Sequence, residues 1–111
     1  MAAVASVKEY FDTLNQRFVA SASKGLNAVF QFELSGDGGG AYNIAVNDGT
    51  MEVKEGTAAT PSVTIKMSAD DYLKLVNGQL NGTMAYMKGQ MKVTGNLMLA
   101  QKMQAVFPVG K

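Results

Sequence analysis

The spacing of apolar residues changes twice along the chain, from helical to strand-like and back to helical. The first helical stretch has one apolar face, formed by Val7, Phe11, Leu14 and Phe18. Ser6, followed three residues later by Glu9, has the pattern of a capping box and predicts where the helix begins. The pattern weakens through residues 21–25. We therefore predict a first helix that ends near there and covers another layer with its apolar face.

Between residues 28 and 67 the apolar positions recur every second residue, as in strands with one buried face. Asp48-Gly49 is typical of a tight hairpin turn, and Thr60-Pro61 marks a break. Four strands are predicted here, with inward positions at Phe30, Phe32 and Leu34, at Tyr42, Ile44 and Val46, at Met51 and Val53, and at Val63, Ile65 and Met67. One apolar face per strand predicts a largely antiparallel sheet with helices on one side only.

After residue 67 the spacing becomes helical again, interrupted by glycines. The predicted elements are a helix that Ser68 caps and Gly78 ends, a short helix that starts at Asn81 or Thr83 and ends at Gly89, a fifth strand over residues 90–94, and a last helix that Asn96 caps. In the short helix, Met84 and Met87 are predicted to share a face with Leu80. The sequence therefore predicts a single domain over residues 1–111. Its fold class is α+β, with a five-stranded, predominantly antiparallel sheet covered on one face by helices.

Residues 72–107 contain five of the eight methionines. Methionine is flexible and polarizable, so it fills irregular or changeable apolar space and recurs at surfaces that accept several partners. A methionine-rich region divided into short elements indicates a cavity for a variable apolar guest. An ordinary core is the alternative, because apolar residues at helical spacing usually form core.

The same region is basic. Residues 1–71 carry all nine acidic residues and five of the ten basic ones, whereas residues 72–111 carry five lysines and no acidic residue. This distribution suits an anionic surface or ligand, such as phospholipid head groups, a carboxylate or a coenzyme phosphate. A solvated lysine face is the alternative. A single arginine and no basic run disfavour nucleic acid as a partner.

Several kinds of chemistry lack their usual residues. Without cysteine or histidine, the chain has no thiol chemistry and neither the commonest metal ligand nor the commonest general base. Asp70 and Asp71 resemble a catalytic pair, but a role at a helix N-terminus explains them. The glycine-rich residues 36–40 join two predicted strands and so predict a turn rather than a phosphate loop. We expect no enzymatic activity, no metal and no cofactor.

The sequence also bears on location. The N-terminal residues lack the basic start and apolar core of a signal peptide. No apolar run approaches the roughly 20 residues that span a bilayer. The last residues are not a Ser-Lys-Leu peroxisomal signal. We therefore expect a cytoplasmic protein.

Two stretches carry a family resemblance, namely residues 67–81 and residues 85–97. The chain has Gly78-Gln-Leu80 and Met87-Lys-Gly-Gln-Met-Lys-Val-Thr-Gly95 where the sterol carrier protein 2 domain, or nonspecific lipid-transfer protein, has Gly-Lys-Leu and Met-x-Gly-Lys-Leu-Lys-Ile-x-Gly. The resemblance covers nearly the whole chain. Gln79 and Gln90 replace the commoner lysine, which weakens any contact with an anionic head group there.

The resemblance implies an apolar tunnel between the sheet and the helices, which binds fatty acids, acyl-CoA, sterols or phospholipids with low selectivity. We expect it to be lined by apolar residues from the strands and the C-terminal region: Phe30, Phe32, Leu75, Leu80, Met84, Met87, Met91, Val93, Leu99, Met103 and Phe107. Lys88, Lys92 and Lys102 are expected to contact an anionic head group or a membrane surface near the mouth.

A second function class fits the same methionines. A methionine-rich groove also binds amphipathic helices, so the alternative is a protein-interaction or dimerisation module that takes a partner's helix or a second copy of the chain. We expect a monomer or a weak homodimer.

Overall fold

The computed structural model describes residues 4–16 and 18–106 and consists of one sheet with helices against it. The strands are β1 (Asn27–Ser35), β2 (Gly40–Asn47), β3 (Thr50–Glu55), β4 (Val63–Ser68) and β5 (Lys92–Gly95), and the helices are α1 (Val7–Asp12), α2 (Ala69–Val76), α3 (Gly82–Met87) and α4 (Leu97–Val106). The strand order is β3-β2-β1-β4-β5, in which only β1 and β4 are parallel. The predicted α+β class and predominantly antiparallel sheet are confirmed.

The two faces of the sheet differ in polarity. On the inner face, Phe30 and Phe32 of β1 are fully buried beneath the helices. On the outer face, Gln31 is covered by the loop over residues 56–62: its Nε2 donates to the Gly56 carbonyl (3.2 Å), and its Oε1 accepts from the Ala58 N–H (2.7 Å). The buried amide of Gln31 is thus satisfied by loop backbone, while the helices occupy the apolar face.

A side-chain cap and a glycine set the ends of α2 where the sequence predicted them. The Ser68 hydroxyl accepts from the Asp71 N–H (3.1 Å) at the start of α2. After α2, Gly78 has a φ of +77°, and the next amide, that of Gln79, donates to the Lys74 carbonyl (2.7 Å). This pattern satisfies carbonyls at the end of the helix and requires a positive φ, which glycine adopts without strain.

The predicted length of the first helix is wrong. α1 ends at Asp12, and the chain continues as two 3₁₀ turns, Leu14–Gln16 and Ala20–Ser23. The Thr13 hydroxyl donates to the Glu9 carbonyl (2.7 Å), and threonine, asparagine and serine are weak helix formers. The apolar side still faces inward, because Val7, Phe11 and Leu14 are buried and Phe18 is half-buried.

Five aromatic rings join α1, α2 and the inner face of the sheet: Tyr10, Phe11, Phe32, Tyr42 and Tyr72. The Phe11 ring stacks on Tyr42 of β2 with centroids 4.1 Å apart and planes 11° apart. It is also parallel to the ring of Tyr72 of α2, with centroids 5.9 Å apart and planes 4° apart. One side chain of α1 therefore contacts both the sheet and the second helix.

We expect Phe11→Ala to lower the free energy of unfolding by about 3–5 kcal/mol, because it removes a buried ring and leaves a cavity among four others. Urea unfolding followed by circular dichroism measures the change. The exposed neighbour variant Asp12→Ala, which removes only the surface pair with Lys8, should cost less than about 1 kcal/mol. A cost for Phe11→Ala as small as that of the control would contradict the prediction.

Candidate functional site

An apolar cavity of about 230 Å³ lies between the inner face of the sheet and helices α2, α3 and α4. Its lining comprises Tyr10, Phe32, Ile65, Tyr72, Leu75, Val76, Gly82, Thr83, Tyr86, Met91, Val93, Leu97, Ala100, Gln101 and Met103. The strand pairing builds its floor, because Phe32, Ile65 and Val93 are direct partners across β1, β4 and β5. The cavity thus follows one cross-strand row of the inner face.

Small residues on the covering helices leave this space open. From α2, Tyr72, Leu75 and Val76 line the cavity at the three- and four-residue spacing of a single helix face. α3 contributes Gly82 and Thr83, and α4 contributes Ala100, and these small residues occupy little of the space. The cavity exists because these two helices cover the row of strand residues without packing tightly on it.

One end of the cavity is closed and the other reaches solvent. Tyr10 and Tyr72 are each only 2% exposed and belong to the aromatic cluster. In contrast, Tyr86 of α3 and Leu97 of α4 are each 47% exposed although both line the cavity. We call the opening between α3 and α4 the mouth.

The closed end carries phenol hydroxyls. Burial raises the pKa of the Tyr72 phenol well above its ordinary value, and the adjacent Tyr10 phenol, to which it is hydrogen-bonded, raises that pKa further. Tyr72 is therefore neutral at physiological pH. The site offers a guest apolar contact along most of its length and a few hydroxyl and amide groups.

The predicted lining residues fall into four groups. The cavity is lined by Phe32, Leu75, Met91, Val93 and Met103. The core instead contains Phe30, and Leu80 and Leu99 pack against that core. Met84 and Met87 are exposed, and Phe107 lies outside the described residues. A role for any of these residues in lipid binding stays a prediction.

The position of Met84 and Met87 differs from the predicted one for a local reason. The prediction extended a helical face from Leu80 to both methionines, but α3 begins only at Gly82, where the Asn81 Oδ1 accepts from the Met84 N–H (3.0 Å). Leu80 lies before the start of α3, so its spacing from Met84 and Met87 does not place the three residues on one helix face. In the observed register Ala85 is buried, and both methionines face solvent.

Sequence reasoning missed several lining residues, chiefly Gly82, Thr83 and Tyr86 on α3, and Leu97, Ala100 and Gln101 on α4. A usable signal was the four-residue spacing of Gly82 and Tyr86 after the Asn81 cap.

The fifth strand was also predicted two residues too early, over residues 90–94. The amides of Gln90 and Met91 donate to the Ala85 carbonyl at 2.9 and 3.2 Å, so they end α3 instead of joining the sheet.

The three candidate lysines are exposed and do not line the cavity. Lys88 follows α3, and Lys102 lies on α4. Lys92 is paired with Lys66, which is itself opposite Glu33, in an outer-face row of the sheet, whereas its neighbour Val93 lines the cavity. The structure therefore places Lys92 across the sheet from the cavity and not beside the mouth, because successive strand side chains point to opposite faces.

In the described parts of the chain, no helix has both the length and the apolar character needed to cross a bilayer.

The chain matches the model of the SCP-2 sterol transfer family over residues 9–108. The residues matched include the whole cavity lining and nearly the whole described chain. The resemblance seen in the sequence is thereby confirmed.

Curated relatives are much longer proteins. The chain is 34% identical over 103 residues to hydroxysteroid dehydrogenase-like protein 2 of Bos taurus, covering 92% of this chain and 25% of that protein. It is 36% identical over 87 residues to peroxisomal multifunctional enzyme type 2 of Mus musculus, covering 76% of this chain and 12% of that protein. The chain thus spans a quarter or less of these relatives.

Solved structures share the fold. The sterol carrier protein domain 2 of Helicoverpa armigera matches with a TM-score of 0.73 and 23% identity, covering 95% of this chain and 91% of that one. The palmitated SCP2L2 of Aedes aegypti matches with a TM-score of 0.71 and 22% identity, covering 95% and 96%. Part of the sec-alkyl sulfatase PisA1 also matches, with a TM-score of 0.82 and 15% identity, covering 96% of this chain and 16% of that one.

We expect Tyr72→Phe to reduce the loss of stability at alkaline pH. The folded-state pKa of Tyr72 is raised, so the contribution of Tyr72 to the free energy of unfolding is fully present below about pH 10, its pKa in the unfolded chain. It then falls as pH rises toward the folded pKa, by at most about 1.4 kcal/mol per pH unit. Urea unfolding at a series of pH values measures this dependence. Tyr86→Phe is the half-exposed control. If the free energy of unfolding of Tyr72→Phe falls with pH as steeply as that of the wild type, the raised pKa of Tyr72 is refuted.

Proposed function

The chain belongs to the SCP-2 sterol transfer family, and on that premise we propose that it binds apolar lipids in its cavity and transfers them inside the cell. The guests are fatty acids, fatty acyl-CoA, sterols and phospholipids, bound with low selectivity. The observation that carries the proposal is the cavity of about 230 Å³, closed by aromatic residues at one end and open between α3 and α4 at the other.

The lining supports both binding and low selectivity. Apolar contact contributes about 25 cal/mol per Å² of surface removed from water, whichever chain supplies the surface. Discrimination between related guests comes mainly from polar groups that a wrong guest leaves unpaired, and few polar groups line this cavity. Met91 and Met103 can change rotamer to follow guests of different shape.

The size of the cavity ranks the guests. Its volume lies below the roughly 300 Å³ at which ordinary small-molecule pockets begin, so a guest must displace part of the lining. A flexible acyl chain enters such a space in stages, whereas a fused ring system needs the full width at once. We therefore place acyl chains ahead of sterols. The palmitated form of the Aedes aegypti neighbour is consistent with that order.

The role we assign to this chain is that of a carrier and not of a catalyst. The named relatives are more than three times longer, so the catalysis that their names imply is not ascribed to this chain. A cytoplasmic location belongs to the same proposal, although the name of one relative refers to the peroxisome for that protein.

We expect Met103→Asp to weaken binding of a fluorescent fatty acid to the delipidated protein by at least about tenfold, because it places an unpaired carboxylate against the apolar guest. Fluorescence titration measures the affinity, and circular dichroism checks the fold. Ala100→Phe, which fills the cavity without adding charge, should also weaken binding.

The matched control is Thr94→Asp, which introduces the same carboxylate on the exposed outer face next to the lining residue Val93. It should bind like the wild type. Two results would overturn the proposal: no saturable binding by the folded wild type, or unchanged affinity in both cavity variants.

A further inference from the structure

Exposed large apolar side chains are concentrated in one stretch of the chain. Within residues 4–16 and 18–106, all five are found between positions 84 and 98: Met84 (48% exposed), Tyr86 (47%), Met87 (74%), Leu97 (47%) and Met98 (75%). We call these five residues the mouth surface. A contiguous exposed apolar patch commonly marks a site of interaction with a protein or a membrane.

The mouth surface is continuous with the cavity. Tyr86 and Leu97 belong to both, because each lines the cavity and remains about half exposed. Met87 follows Tyr86 on α3, and Met98 follows Leu97 on α4. Whatever binds the mouth surface therefore lies directly over the opening through which a guest must pass.

Each helix repeats the same pair of residues at the mouth. Lys88 lies four residues after Met84, and Lys102 lies four residues after Met98, so each lysine is about one helical turn from an exposed methionine. Among the other described lysines, Lys8, Lys54 and Lys66 each pair with an acidic side chain, whereas Lys24, Lys74 and Lys92 form no ion pair with a described residue. Lys88 and Lys102 form no ion pair with any described residue, and no acidic residue occurs after Asp71.

We propose that the mouth surface docks on an anionic phospholipid bilayer, with Met87 and Met98 entering the interface and Lys88 and Lys102 contacting lipid phosphates. Exposed methionines with nearby lysines suit the interface of an anionic bilayer. The apolar side chains leave water, while lysines extend their ammonium groups toward the phosphates. This inference rests on the proposed function, because docking presents the open end of the cavity to the lipids.

The charge pattern favours a bilayer over a second copy of the chain. In a two-fold dimer the same patch meets itself, so the lysines of one mouth surface would face those of the other without an acidic partner. Like charges brought together at an interface oppose association. An anionic lipid surface instead neutralises both lysines and accepts the methionines.

The test measures binding of the full chain to vesicles by co-sedimentation, with phosphatidylcholine alone and with phosphatidylcholine containing phosphatidylglycerol. We expect binding only to the anionic vesicles. Lys88→Gln combined with Lys102→Gln should lower the partition coefficient roughly 30-fold, because each lysine near an anionic surface strengthens binding about fivefold. Met87→Gln combined with Met98→Gln should lower it at least about tenfold without changing charge.

The control is Lys24→Gln combined with Lys54→Gln, which removes two positive charges at the opposite edge of the sheet. Lys54 lies on β3, and the Lys24 side chain lies beside the β2–β3 turn. This variant should bind anionic vesicles like the wild type. An equal loss in this control would overturn the proposal, because net charge rather than the mouth surface would then drive binding.

Three other results would also overturn it. The first two are no binding of the folded wild type to anionic vesicles and equal binding to neutral vesicles. The third is a dimer in sedimentation that Met87→Gln combined with Met98→Gln dissociates, in a protein that does not bind vesicles. Failure of the proposed function is separable. Saturable fatty-acid binding in solution without any binding to anionic vesicles would refute the docking alone. Vesicle binding without any saturable fatty-acid binding would instead refute the carrier role alone.

Discussion

The stacking of Phe11 against Tyr42 and Tyr72 holds together the elements on which the cavity depends. α1 is only six residues long, and isolated helices of that length are not stable in water. Its position depends on tertiary packing, which Phe11 supplies by contacting a strand and a helix at once. Tyr72 and the neighbouring Tyr10 then form the closed end of the cavity. The same aromatic contacts thus fix the helices and close the site.

Two adjacent rows of the sheet have different roles. The row that contains Phe30, Ile44 and Val63 is almost completely buried and forms the core. The next row, with Phe32, Ile65 and Val93, is covered at the β5 edge by short helices with small inward residues, and there the packing leaves space. A protein interior normally packs densely, so space beside a complete core is a local property of α3 and α4.

The methionine-rich region serves two environments. Met91 and Met103 line the cavity, whereas Met84, Met87 and Met98 lie on the mouth surface. Lysines accompany only the outward group along the helices, with Lys88 and Lys102 each one turn from a methionine. The inner methionines suit a changeable guest, and the outer ones, with their lysines, suit the surface from which that guest would come.

The spacing of apolar residues and the capping residues were enough to determine most of the secondary structure. Alternation identified β1 to β4 and their inward residues, and Ser68, Gly78, Asn81 and Asn96 marked helix ends, because these are local effects of backbone geometry and hydrogen bonding. Local pattern failed at Thr13, where a side-chain hydrogen bond competes with the helix, and at Gln90, whose amide closes α3.

Tertiary structure decided which apolar residues face the cavity, the core or the solvent. The expected tunnel lining included Phe30, Met84 and Met103, yet the first is in the core, the second is exposed, and only the third lines the cavity. Apolar character shows that a side chain favours leaving water. Which partner it meets depends on the register of β1, β4 and β5 and on where α3 begins, and both are fixed by contacts between residues distant in the chain.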